Sequence, residues 1–154
     1  MPTTSLAVGC TITGNSIYQS SAPASVTGST TFTGIAVQNG SGHTVSNNYI
    51  GGQAASAGGS AYSNTATVAF TGISLGVGTA SVTSVQNNTI QNISLSSSGA
   101  STFVGIRSSS GLVNIGATTG YTIGNASNAS RLNSAGTGIA MGMNISCGAT
   151  VKLR

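Results

Sequence analysis

The sequence predicts an all-β protein, a parallel β-helix (β-solenoid) of about four turns. Three observations carry that expectation. A phrase ending in Gly-Ile returns along the chain, a second phrase ending in Ile keeps step with it, and apolar and polar residues alternate with period two inside the second phrase.

The first phrase reads Phe32-Thr33-Gly34-Ile35, Phe70-Thr71-Gly72-Ile73, Phe103-Val104-Gly105-Ile106 and Thr137-Gly138-Ile139, with its glycines 38, 33 and 33 residues apart. The second reads Thr11-Ile12-Thr13-Gly14-Asn15-Ser16-Ile17, Thr44-Val45-Ser46-Asn47-Asn48-Tyr49-Ile50, Ser84-Val85-Gln86-Asn87-Asn88-Thr89-Ile90 and Ala117-Thr118-Thr119-Gly120-Tyr121-Thr122-Ile123, with its last Ile recurring after 33, 40 and 33 residues. Two phrases sharing one period imply a stack of similar units.

Within the second phrase Ile12, Val45 and Val85 point one way and their Thr, Ser and Gln neighbours the other, which is a strand pattern. No stretch carries a 3.6-residue apolar stripe. Asn15, Asn48 and Asn88 share one phase beside Gly14, Asn47, Asn87 and Gly120, residue types suited to left-handed corners, so stacking should produce an asparagine ladder. The expected core columns are Ile12, Val45 and Val85, then Ile17, Ile50, Ile90 and Ile123, with Ile35, Ile73, Ile106 and Ile139 on another wall. The same alternation is compatible with antiparallel strands in a β-sandwich of pilin or immunoglobulin type. Residues 1–154 read as one domain, either a whole subunit or a segment of a longer repeat protein.

Asn87-Asn88-Thr89-Ile90-Gln91-Asn92-Ile93 followed by Phe103-Val104-Gly105-Ile106 resembles the Gly/Ser/Thr/Asn-rich repeats of large secreted bacterial surface proteins, the right-handed β-helix adhesins and related exoproteins, and the resemblance covers roughly residues 8 to 151. It implies an extracellular, adhesive or structural role. Polysaccharide-cleaving enzymes share that fold, but their acidic metal and catalytic positions have no counterpart in this chain.

Composition sharpens the expectation. None of the 154 residues is Asp or Glu, and Lys and Arg number four: Arg107, Arg131, Lys152 and Arg154. Carboxylate acid–base pairs, oxygen cages for Ca²⁺ or Mg²⁺ and Asp-oriented triads are therefore out of reach. Scattered cations make nucleic acid a poor partner. Apolar residues supply 38%, 47 residues are Ser or Thr and 23 are Gly, so the core must be thin and the surface made of hydroxyls, amides and backbone. Low charge also leaves little repulsion between copies. No apolar run reaches membrane-spanning length. Met1-Pro2-Thr3-Thr4 has neither the basic nor the apolar region of a secretory signal, so an extracellular protein would be a processed piece or use another export signal.

No catalytic, metal or cofactor-binding set emerges. His43, the sole histidine, reads as a surface or turn residue beside Gly42 and Thr44, and one His with two Cys lacks ligand spacing. Cys10 and Cys147 read as one coil phase. With no polar cap evident, they suggest a disulfide between head-to-tail subunits; free buried thiols and an intramolecular bond in a sandwich are the competing readings. Sequons place candidate glycosylation at Asn39, Asn87, Asn92, Asn125, Asn128 and Asn144, and surface glycans are a candidate partner. Ser-rich loops over residues 96–98 and 108–110 are candidates for O-linked sugar.

The expected function is an extracellular structural or adhesive protein that forms a homo-oligomer or filament through uncapped strand edges. An ice-binding or carbohydrate-binding solenoid is the alternative. Thr11-x-Thr13 and Thr44-x-Ser46 begin a hydroxyl column that Ser84-x-Gln86 and Ala117-x-Thr119 interrupt, while Thr31-x-Thr33 and Thr65-x-Thr67 fall at other phases.

Overall fold

Each of the first three copies of the second phrase folds as two short strands joined by a tight corner. The residue between them is left-handed: Gly14 (φ 71°), Asn47 (φ 56°) and Asn87 (φ 49°). Gly and Asn adopt that conformation at little cost. The first three copies of the first phrase instead each lie within one long strand, their β-branched and aromatic residues suiting an extended chain. In this computed structural model, which describes residues 8–21, 28–97, 99–124, 131–132, 138–147 and 150–151, the strands group into rungs.

The first rung contains β1 (Thr11–Thr13), β2 (Ser16–Ile17) and β3 (Ser29–Val37). The second contains β4 (Thr44–Ser46), β5 (Tyr49–Ile50), β6 (Tyr62–Asn64) and β7 (Thr67–Gly76). The third contains β8 (Thr83–Gln86), β9 (Thr89–Ile90), β10 (Ile93–Leu95) and β11 (Thr102–Ser110). The fourth contains β12 (Val113–Ile115), β13 (Thr122–Ile123), β14 (Arg131–Leu132) and β15 (Ile139–Ile145), and β16 (Thr150–Val151) begins another.

Equivalent strands pair in parallel and make four walls. The first wall is β1-β4-β8-β12-β16, the second β2-β5-β9-β13, the third β6-β10-β14 and the long wall β3-β7-β11-β15. Along the long wall four rungs are joined by three circuits, so the solenoid makes about three turns there. All ladders between described strands are parallel, which excludes the antiparallel sandwich. No helix among the described residues is long and apolar enough to cross a membrane.

The register builds the core as columns. Ile12, Val45, Val85 and Ile115 align on the first wall, and Ile17, Ile50, Ile90 and Ile123 on the second. On the long wall Ile35, Ile73 and Ile106 continue into Met143. Phe32, Phe70 and Phe103 stack nearly parallel, with centroids 4.7 and 5.6 Å apart and interplanar angles of 18° and 16°. Successive rungs lie about 4.8 Å apart, so one rotamer repeated at one register position stacks rings face to face. Tyr62 closes that stack from the third wall, its ring edge toward Phe70.

Two expectations fail on the fourth rung. Ile139 aligns with Thr102 and lies half exposed on the outside, while Met143 takes the place assigned to it. The spacing from Ile106 to Met143 is 37 residues, and an unbranched Met fills the Ile column without resembling it in sequence. On the first wall, Val113–Ile115 forms the strand and Ala117-Thr118-Thr119 belongs to a longer corner that still delivers Ile123 to its column.

The recurrent glycine is explained by space. A Cβ on Gly72 would lie 2.6 Å from the Gly105 carbonyl oxygen and 2.7 Å from Ile90 Cδ1; one on Gly34 would meet the Gly72 carbonyl oxygen at 2.7 Å and Ile50. The long wall thus comes close enough to seat the second-wall isoleucines directly on its backbone. Gly72→Ala should destabilise by about 1–3 kcal/mol through overpacking, whereas Thr33→Ala, on the exposed face, should stay within about 0.5 kcal/mol; urea midpoints of the two variants check this.

Burial raises the Tyr62 phenol above its ordinary value of 10.0, against an opposing Asn64 hydrogen bond. The unfolded chain therefore loses that proton first. This contribution to stability is present below about pH 10 and lost as pH rises through the folded value, so urea midpoints taken across that range should fall, and fall less in Tyr62→Phe.

Candidate functional site: the first rung and its asparagine ladder

The corners between the first and second walls turn three asparagines inward. Asn48 and Asn88 are fully buried. Asn15 donates to Asn48 Oδ1 through its backbone N–H (3.1 Å) and its Nδ2 (2.9 Å), and Asn48 donates to Asn88 Oδ1 in the same two ways (3.1 and 2.9 Å). The remaining amide protons bind main-chain carbonyls: Asn48 Nδ2 reaches Ile12, and Asn88 Nδ2 reaches Val45 and Gln86. Buried amides require such satisfaction. Every link points the same way, so Asn15 Oδ1 is left as the terminal acceptor with no partner among the described residues. At the other end the column reaches Tyr121, whose hydroxyl instead donates to Met143 Sδ at 3.2 Å.

Beside Asn15 opens a cavity of about 430 Å³ lined by Ile12, Asn15, Ser16, Ile17, Gly34, Ile35 and Ala36. These residues head the apolar columns, so the cavity is the open end of the core. The third wall differs, and here the expectation of no cap needs correction. Ser63 N–H donates to Gln19 Oε1 at 3.0 Å and Gln19 Nε2 donates to the Ser63 carbonyl at 3.1 Å, so a side-chain amide takes the place of a neighbouring strand. Gln53 Nε2 steadies it through Gln19 Oε1 and the Ala61 carbonyl.

Cys10 and Cys147 are free thiols, Cys10 exposed and Cys147 partly so. They are not in phase. Cys10 precedes Thr11 by one residue and Cys147 precedes Thr150 by three, on strands of the same wall, so a joint in register leaves them two positions apart. The sequence suggests one phase because Cys147 stands eight residues after Ile139 as His43 stands eight after Ile35, but Ile139 aligns with Thr102 and not with the Ile35 column. Cys147 Sγ lies 3.0 Å from Ser108 Oγ.

His43 sits at the expected corner but is buried, not on the surface. Its Nδ1 accepts the Cys10 N–H at 3.2 Å and its Nε2 lies 2.8 Å from the Asn39 carbonyl, a pair of partners that assigns the proton to Nε2. Cys10 above it and Thr83 below, whose hydroxyl accepts the His43 N–H at 3.3 Å, complete a polar column. Period alone could locate this position without revealing its burial.

The sequons separate by environment. Asn39 is exposed. Asn87 is exposed, with its Nδ2 bonded to Asn47 Oδ1 at 2.7 Å. Asn92 is buried, and its Nδ2 faces the carbonyls of Ala57, Gly58, Gly59 and Ser60, clamping the loop between β5 and β6. Asn144 is partly buried in β15, and Asn125 and Asn128 lie outside the described residues.

No protein-family model matches the chain, nor does any curated protein or solved structure.

Asn88→Ala removes the acceptor for two Asn48 donors and strips the Val45 carbonyl of its amide partner. With about 1–3 kcal/mol for each buried group left unpaired, the loss should reach about 3 kcal/mol or more in chemical denaturation, against less than about 1 kcal/mol for Asn87→Gly.

Proposed function

We propose that this protein is an extracellular structural or adhesive element, without catalytic activity, whose turns continue end on into those of a second copy. The observation that carries this reading is the first rung, where the apolar columns open beside an Asn15 Oδ1 that has no partner among the described residues. The fourth rung offers complementary chemistry. Tyr121 holds the ladder position from which Asn15 and Asn48 donate their backbone N–H, and Ile123 and Met143 continue the columns headed by Ile17 and Ile35. Parallel strands with unpaired edges favour such addition, and a chain lacking acidic residues opposes it little. β16 already fills the first-wall place of the next rung, so an incoming β1 must displace it.

Two outcomes follow for negative-stain microscopy and sedimentation of the purified chain. Ile17→Lys should abolish end-on assembly while preserving the strand circular-dichroism signal, since Ile17 lies at the edge of the core. Removing residues 150–154 should strengthen assembly by vacating the contested place. Filaments that persist in Ile17→Lys, or dispersed monomers in both proteins, would sink the proposal.

A second reading, surface recognition of ice or carbohydrate, draws support from the outer face of the long wall. Thr31, Ala69 and Thr102 form one outward column, and Thr33, Thr71 and Val104 another. This regular, nearly uncharged grid lies on a different wall from the Thr11 and Thr44 column singled out in the sequence. Thermal hysteresis that disappears in Thr33→Tyr/Thr71→Tyr supports ice recognition, and its absence at high concentration removes it.

A further inference from the structure

Asn39-Gly40 is the one Asn-Gly pair in the chain, and it occupies the loop between β3 and β4 with a particular set of contacts. The Asn39 side chain is exposed and makes no hydrogen bond among the described residues. Gly40 is left-handed (φ 76°), and its N–H is likewise unpaired among the described residues. The carbonyl joining the two residues accepts from His43 Nε2 at 2.8 Å. His43 is buried and held from its other side by the Cys10 N–H.

We propose that this corner is a self-modification site at which Asn39 converts to an aspartyl or isoaspartyl residue, assisted by His43. The Gly40 nitrogen attacks Asn39 Cγ. An N–Cγ bond forms, the Cγ–Nδ2 bond breaks, and ammonia departs carrying the proton equivalent lost from Gly40 nitrogen. Water then adds to either carbonyl of the resulting succinimide and one ring C–N bond opens. Gly40 is buried but carries no side-chain branch to crowd its attacking nitrogen. The imidazole N–H, aimed at the carbonyl of the same peptide, stabilises the negative charge that develops when Gly40 loses its proton, and it is already oriented before reaction. His43 thus acts directly on the reacting peptide, as the donor that stabilises its developing charge.

Other asparagines are held differently. The side-chain amides of Asn15, Asn47, Asn48, Asn87, Asn88 and Asn92 all donate hydrogen bonds, and none of these residues is followed by Gly: the next residues are Ser16, Asn48, Tyr49, Asn88, Thr89 and Ile93. The product would also matter to the fold. The isoaspartyl form routes the main chain through the former side chain, between the Asn39 carbonyl held by His43 and the Gly40 carbonyl, which accepts from Gly78 N–H at 2.6 Å. It would give the chain its first side-chain carboxylate.

The test is prolonged incubation of the full chain at physiological temperature and neutral pH, followed by peptide mapping with mass spectrometry and enzymatic labelling of isoaspartate. Position 39 should exchange its amide for a carboxyl before any other asparagine, and several-fold faster in the native chain than in urea, where the His43 contact is lost. In native His43→Gln the rate should fall toward the urea value; if that variant does not fold, the comparison of native and urea-unfolded wild type decides alone. Asn39→Gln should show no early product. Earlier conversion at another asparagine, or an equal or faster rate in urea, would overturn the proposal.

Discussion

Everything in this molecule depends on each rung satisfying the main-chain polarity of its neighbours in one fixed register. The chain contains no Asp or Glu, so opposite side-chain charges cannot hold its walls together. Backbone bonds, apolar columns and amide ladders remain. A slip of one residue would carry Ile50, Ile73 and Ile90 from the interior to the surface, and it would separate Asn48 from Asn88. Burial and polar satisfaction therefore select the same alignment.

Much of this architecture was legible because stacking repeats local requirements. A left-handed corner asks for Gly or Asn, an inward amide for Asn, and the close approach of the long wall for a residue without a side chain. Those needs recur on the first three rungs and print themselves at a shared period, which is why Ile12, Val45 and Val85, and the ladder from Asn15 to Asn88, can be placed from the sequence. The fourth rung was less legible. Its corner is longer, and Met143 satisfies the volume of a column without preserving the identity, so the nearby Thr-Gly-Ile triplet offered a closer literal match.

The candidate site was legible only in part. Asn15 could be assigned to the ladder, but its role as terminal acceptor depends on the direction of the hydrogen bonds, which composition does not encode. Gln19 was invisible for a different reason. Its amide copies the pairing of a strand at one residue, a single contact with no periodic signature. His43 lies between these cases: its phase follows from the repeat, while its buried bridge between Asn39 and Cys10 needs the folded corner.

The asparagine ladder also has consequences for symmetry. Its Oδ1 acceptors face the first rung and the donors that bind them face the fourth, giving the Asn-to-Asn links a chemical arrow. Two copies meeting at like ends would oppose acceptor to acceptor or donor to donor, so a twofold dimer cannot continue it. Contact between unlike ends can, and such a heterologous contact, repeated by the same rotation and rise, has no inherent last member. Length in such an assembly would then be set by whatever blocks a terminus, not by the geometry of the joint.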